Sequence, residues 1–207
     1  MIKNLKFKIK NPVRGITLIE ILLVVFIIAL FSSILVADFP KIRRQFALTR
    51  TVYKMSQDLR RAQDMALSGQ QIKDANGDKI NVQGYGIYIN LDNTSLGKKK
   101  YIIYADMTND QQYDVSGAIC GQQLPNRDCV IETIDLSQTE AGVIISRITN
   151  PTDVHWIDIN FKPPNPTIKI TNLSFGNRAQ IIFALESDPL KTERIVSVNT
   201  AGLIEIK

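Results

Sequence analysis

Histidine and tryptophan each occur once and cysteine twice in the 207 residues of this chain. With His155 alone there is no Ser-His-Asp set, and no phosphate-binding glycine loop or metal-spaced group of ligands occurs. The sequence therefore predicts neither catalysis nor a cofactor. Two cysteines without further ligands nearby do not make a zinc site. Cys120 and Cys129 stand in a Gly-, Pro- and Asn-containing stretch, which suits a small disulfide-closed loop in an oxidising compartment. Glycine (11) and proline (8) are few and no low-complexity tract is present, which excludes a collagen-like or wholly disordered chain. The length allows one domain with an appendage, or two small domains.

Acid is missing from residues 1–15, which carry Lys3, Lys6, Lys8, Lys10 and Arg14. This segment alone matches the formal charge of +5 of the whole chain, so a pI near 9.2 does not describe a uniformly basic body seeking nucleic acid. Charge is nearly missing again from residues 16–37, ITLIEILLVVFIIALFSSILVA, where Glu20 is the one ionisable side chain. At about 1.5 Å per residue this run makes a helix of roughly 33 Å, close to the roughly 30 Å hydrocarbon thickness of a bilayer. A membrane-spanning helix is expected.

A cleaved secretory signal has an apolar core of about 7–15 residues and a small-x-small site. This run is too long, and Leu35-Val36-Ala37 is a poor site. A plain signal anchor accounts for the basic start and the apolar run but not for Glu20, because a carboxylate inside a span costs about 2.5–3.5 kcal/mol on insertion scales and needs a positive partner. Arg14-Gly15-Ile16-Thr17-Leu18-Ile19-Glu20, a short basic leader ending in Gly followed by an apolar residue and Thr-Leu-Ile-Glu, resembles the processing site of type IV pilins and the related pseudopilins. The resemblance implies that a prepilin peptidase cuts after Gly15 and that Ile16 becomes an N-methylated N-terminus. It also implies that Glu20 neutralises the amine of a neighbouring subunit as the helix leaves the bilayer for a filament. The implied partners are other pilin or pseudopilin subunits, the peptidase and N-methyltransferase, an inner-membrane assembly platform and, before assembly, membrane lipid. Opposite charges attract strongly in a low-dielectric helix bundle, and either one unpaired is costly, so such a pair favours one axial register. Two departures stand out: Ile16 where Phe is usual, and Pro40 a few residues beyond the place where a helix-kinking Pro often lies. Loss of residues 1–15 would leave acidic and basic side chains equal in number.

Lys41, Arg43, Arg44, Arg50 and Lys54 follow the span closely, so the positive-inside count is tied. The cysteine pair is what puts the C-terminal part outside the cytoplasm, in a single-pass inner-membrane protein. Beyond Pro40, Ile42, Phe46, Val52, Met55, Leu59, Ala62 and Ala66 form an apolar stripe, predicting an amphipathic continuation over residues 38–68 that stops where Gly69 can cap it. The whole helix would measure roughly 80 Å. From residue 69 to 207 the sequence reads as a β-rich head. Residues 83–91, 100–105, 130–136, 142–148, 157–161, 167–173, 180–185, 195–198 and 203–206 are Ile- and Tyr-rich or alternate apolar with polar, and Asn, Asp, Gly and Pro turns separate them. The fold class is therefore α+β: a long N-terminal helix, transmembrane and then amphipathic, packed on an antiparallel sheet of one or two layers. The strands at 180–185 and 193–198, followed by Ala201-Gly202-Leu203-Ile204, further resemble the H-type minor pseudopilins of type II secretion and their minor-pilin relatives.

Asp106, Asn109, Asp110 and Asp114 form an oxygen-rich stretch able to chelate calcium, but Gln111 stands where an EF-hand loop needs Gly, and a solvated connection is the preferred reading. Residues 74–78 (DANGD) read as a turn around Asn76-Gly77. His155 and Trp156 read as packing residues, and residues 162–166 as an extended connector. Arg43, Arg44, Arg50, Lys54, Arg60 and Arg61 make a basic band on the helix. DNA could be its partner, as for minor pilins in DNA uptake, or the band could face neighbouring subunits and lipid headgroups. The stacking pattern of single-strand binders is missing.

Overall fold

The computed structural model describes residues 15–73, 76–114, 117–121, 127–140, 142–150, 152–163, 167–172 and 176–207. The leader up to Arg14, two residues of the 74–78 turn and the Pro164-Asn165-Pro166 part of the connector lie outside the described residues. Helix α1 spans Leu18–Leu67 and contains Pro40. Then come β1 (Ile72–Lys73), β2 (Lys79–Ile80), β3 (Gly84–Asn90), β4 (Lys100–Asp106), β5 (Cys129–Asp135), a single turn of helix α2 (Leu136–Thr139), β6 (Val143–Thr149) and β7 (Asp153–Val154). The chain finishes with β8 (Trp156–Lys162), β9 (Thr167–Thr171), β10 (Arg178–Leu185), β11 (Asp188–Asn199) and β12 (Ile204–Ile206). This is the expected α+β layout, a long N-terminal helix followed by antiparallel sheets.

Two compact units divide the chain, Met1–Ile42 and Arg43–Lys207, with the division inside α1. In the first unit the large apolar side chains from Ile16 to Val36 are exposed, and the helix is long and apolar enough to cross a membrane, with an 18-residue stretch of mean hydropathy 2.9. In the second unit α1 is a core element. Leu48, Val52, Met55, Leu59, Ala62 and Ala66 recur at steps of four and three and are all buried. Ile42 and Phe46, placed in this stripe by the sequence reading, are exposed. Phe46 precedes Val52 by six residues, which puts it on another side of a 3.6-residue helix, while Ala47 and Leu48 take the inward positions.

Among the described residues the strands form two five-stranded sheets, in the orders β5-β4-β3-β8-β9 and β12-β11-β10-β6-β7, plus the β1-β2 hairpin. The hairpin pairs Ile72 with Ile80 and turns through Asn76 and Gly77, the latter at φ 89°. Ile87, Ile89, Tyr101, Ile103, Ile157, Ile159 and Phe161 of the first sheet and Ile145, Ile181, Phe183, Val196 and Val198 of the second join the helix residues in one core. The helix ends in a Schellman motif: Gly69 N–H donates to Ala66 O (3.2 Å), Gln70 N–H donates to Met65 O (3.1 Å), and Gly69 has φ 57°. Tyr85 donates its hydroxyl to Gln70 O, so the exit of the helix is tied to β3.

Candidate functional site

Three groups of residues carry the chemistry singled out in the sequence. The first is the start of α1. Gly15, Ile16 and Thr17 precede the helix in non-helical chain. A side-chain carbon added at Gly15 would meet nothing within 4 Å, so no contact within the described residues requires glycine there. Ile16 is 72% exposed. Thr17 is the N-cap: its carbonyl accepts from Glu20 N–H (3.1 Å) and Ile21 N–H (3.3 Å), and its hydroxyl oxygen accepts from Glu20 N–H at 3.3 Å. Thr17 and Glu20 thus occupy the two positions of a capping box, a Thr-x-x-Glu signal that the sequence reading passed over. Glu20 sits in the first turn, where the helix dipole favours a carboxylate. Among the described residues its carboxylate has no hydrogen bond or ion pair, which leaves it available to another chain.

The second group is the basic band. Arg50 pairs with Glu140 (3.1 Å), Lys54 with Asp58 (3.1 Å) and Arg61 with Glu132 (2.6 Å), and Arg44 donates to Ser187 Oγ at 3.5 Å. Among the described residues Arg43 and Arg60 have no acidic partner. Half of the six cations are therefore occupied by acids, two from the head and one from α1 itself, which reduces the positive field offered to a phosphate backbone.

The third group covers the outer face of the first sheet. On β8, Ile157, Ile159 and Phe161 face the core, which turns Asp158 and Asn160 to the opposite face. Both are nevertheless fully buried; residues 107–114 cross this face, with the Tyr113 N–H on Asp158. Tyr104 of β4 reaches across β3 to these two side chains. Its hydroxyl donates to Asp158 Oδ1 at 2.6 Å and accepts from Asn160 Nδ2 at 3.0 Å. Gly86 lies between them in register with both Tyr104 and Asn160, and a Cβ there would stand 2.5 Å from the Tyr104 ring. Glycine at this place is required by the close approach of the ring. Tyr113 packs on Tyr88 and Tyr104, with ring centroids 5.1 and 5.0 Å away, and its N–H donates to Asp158 Oδ2.

The same segment supplies main-chain donors to two more carboxylates. Asp106 accepts from Asn109 (2.7 Å) and Gln111 (3.1 Å), and Asp128 accepts from Met107 (2.9 Å) and Asp114 (3.0 Å). Burial pushes the carboxyl of Asp158 up to about 7 and that of Asp128 up to about 6, against the lowering by their donors, and Asp106 moves in the same direction. In the oxygen-rich connection Asn109 and Asp110 are exposed and Asp114 is half-buried, as expected of a solvated stretch, whereas Asp106 at its start is fully buried, as is Asp128 farther along the chain. One carboxylate oxygen each from Asp106, Asp110 and Asp128 lie within 4.8 Å of one another. Asp114, read from the sequence as a member of this set, contributes its N–H instead, and Asp128, eighteen residues beyond Asp110, takes the place. Such oxygens suit a hard cation, and here they serve as acceptors for the segment's own amides.

Cys120 and Cys129 form a disulfide with Cα atoms 4.8 Å apart. Cys120 N–H donates to Val130 O (2.9 Å) and Val130 N–H to Ala118 O (2.7 Å), so the bridge fastens the far end of the crossing segment to the start of β5, next to Asp128. His155, read as a packing residue, is exposed and stands 3.1 Å from Asp92 through Nδ1; Trp156 packs near Tyr88, with centroids 6.4 Å apart.

Residues 10–36 match the family model of the prokaryotic N-terminal methylation motif, the signature of type IV pilins and pseudopilins. The matched span contains Gly15, Ile16, Thr17 and Glu20. No curated protein and no solved structure matches the chain.

Proposed function

We propose that this chain is a structural subunit of the type IV pilin kind, a minor pilin or pseudopilin, cut after Gly15 and assembled through α1 into a pilus or a secretion pseudopilus. The observation that carries the reading is the methylation motif lying over the start of α1, where the side chains from Leu18 to Val36 are mostly apolar and exposed and the one carboxylate, Glu20, has no partner among the described residues. A motif of this kind implies processing by a prepilin peptidase and assembly with other pilins. Before assembly the span holds the chain in the inner membrane as a single-pass protein, with the disulfide-bearing head on the oxidising side. Leader, span, amphipathic half-helix and head then divide the work as processing signal, anchor, connector and surface. The motif's family is structural, and catalysis is assigned to no residue.

Two measurements test this. The native protein should show an N-terminus at Ile16 carrying an added methyl group on a mass spectrum, whereas a plain membrane anchor would keep its leader. Glu20→Ala should leave cleavage largely intact and reduce incorporation into filaments. Normal incorporation of that variant would count against the pairing of Glu20 with a neighbour's amine.

A further inference from the structure

The Gly15–Ile16 bond lies outside α1, and the reason is the residue that follows it. A helix needs an acceptor for its first N–H groups, and in apolar surroundings where water does not supply one the need is sharper. Thr17 meets it by taking the Glu20 N–H on both its carbonyl and its hydroxyl oxygen. Gly15 offers no obstacle of its own to further winding: it has no left-handed φ, and the space around it is open. Glycine ranks close to threonine as an N-cap. Without the hydroxyl at position 17 that residue loses its preference as a cap, and Gly15, close to threonine in cap rank, becomes the favoured helix start: Ile16 would be the first helical residue and the Gly15 carbonyl would take a helical hydrogen bond from Ile19.

We propose that Thr17 is a positioning residue for leader removal: by capping α1 one residue beyond the scissile bond, it keeps the Gly15 carbonyl out of the helix and open to attack by the peptidase. This rests on cleavage after Gly15. Thr17 touches neither the attacking water nor the bond itself; it sets the fraction of chains in which that bond is presented. A lower presented fraction raises KM and leaves kcat alone.

The test uses the full chain in membranes with a prepilin peptidase, with cleavage followed by mass spectrometry for wild type, Thr17→Ala, Thr17→Ser and Thr17→Asn. Cleavage of the wild type after Gly15 tests the functional reading separately; if the wild type stays intact, that reading falls whatever the variants do. Given cleavage, Thr17→Ala should lower kcat/KM by about three- to tenfold through KM, as expected for the loss of one cap. Ser and Asn, both good caps, should stay near wild type. An Ala variant cut as fast as wild type overturns the proposal. An Asn variant as slow as Ala overturns it too, because the peptidase would then be reading the threonine hydroxyl directly.

Discussion

The Tyr101 hydroxyl donates a 2.6 Å hydrogen bond to Asp58 Oδ2, joining β4 to α1 inside the core. Lys54 approaches the same oxygen at 3.1 Å. Burial first, and then the Asp58 charge and hydrogen bond, hold the Tyr101 hydroxyl well above its ordinary range, so it remains a donor wherever the fold persists. Tyr101→Phe leaves a buried carboxylate with Lys54 alone and should cost about 1–3 kcal/mol in urea unfolding of the head. An unchanged unfolding midpoint would mean that the bond contributes nothing beyond ring packing.

The pH dependence of stability follows from the carboxylates beneath residues 107–114. Asp158 is pushed up to about 7 in the fold from an ordinary value of 3.8. The folded chain therefore holds a proton that the unfolded chain releases between those values. This contribution is fully present below about pH 4 and is lost as pH rises through about 7. Asp128, at about 6, acts in the same sense. The thermal midpoint should fall from about pH 4 to about pH 8, and Asp158→Asn should flatten the fall. A midpoint that climbs over that interval would show that the ionised, amide-bonded form is the stable one.

Reduction of Cys120–Cys129 should loosen the crossing segment from both ends, since the bridge adjoins Asp128, which holds the Met107 and Asp114 amides. Closure of a loop this short contributes roughly 2–3 kcal/mol in the chain-entropy model. A lowered midpoint on reduction, together with a weakened tyrosine signal in near-ultraviolet circular dichroism from the Tyr88, Tyr104 and Tyr113 group, is the expected pair of results. Loss of stability with an intact tyrosine signal would separate the disulfide from the docking of that segment.

Two truncations on α1 distinguish its faces. Leu59→Ala removes a fully buried side chain and should cost about 2–5 kcal/mol. Phe46→Ala, at 61% exposure, should change head stability by less than about 0.5 kcal/mol. Equal losses in denaturant titrations would restore Phe46 to the inward stripe.

Much of this fold was legible because local chemistry and tertiary packing agree. Gly69 marked the end of α1, and alternation located most strands to within a residue or two. What escaped depended on partners distant in sequence. Asp158 is a polar position in an alternating strand, and the groups that meet it there, Tyr104 and Tyr113, are more than forty residues away in sequence. Asp128 is separated from Asp106 by twenty-two residues, a span whose closure no spacing rule announces. Leu48, four residues before Val52, belongs to the stripe, whereas Phe46, six before it, is turned about a third of a turn away and is exposed. In the processing segment, Gly15, Ile16 and Glu20 stood out through the family resemblance. Thr17 carries the Thr-x-x-Glu capping signal, but its role as a cap depends on where α1 begins, which the processing motif does not specify. The paired state of Arg50, Lys54 and Arg61 could not be read from the band itself, as two of the three acids come from the head.

The way α1 is seated in the second unit has a mechanical side. The side chains of the row from Leu48 to Ala66 lie in a single core with the inner faces of both sheets. Any load on that row is shared among many weak contacts at once, and no single strand carries it alone.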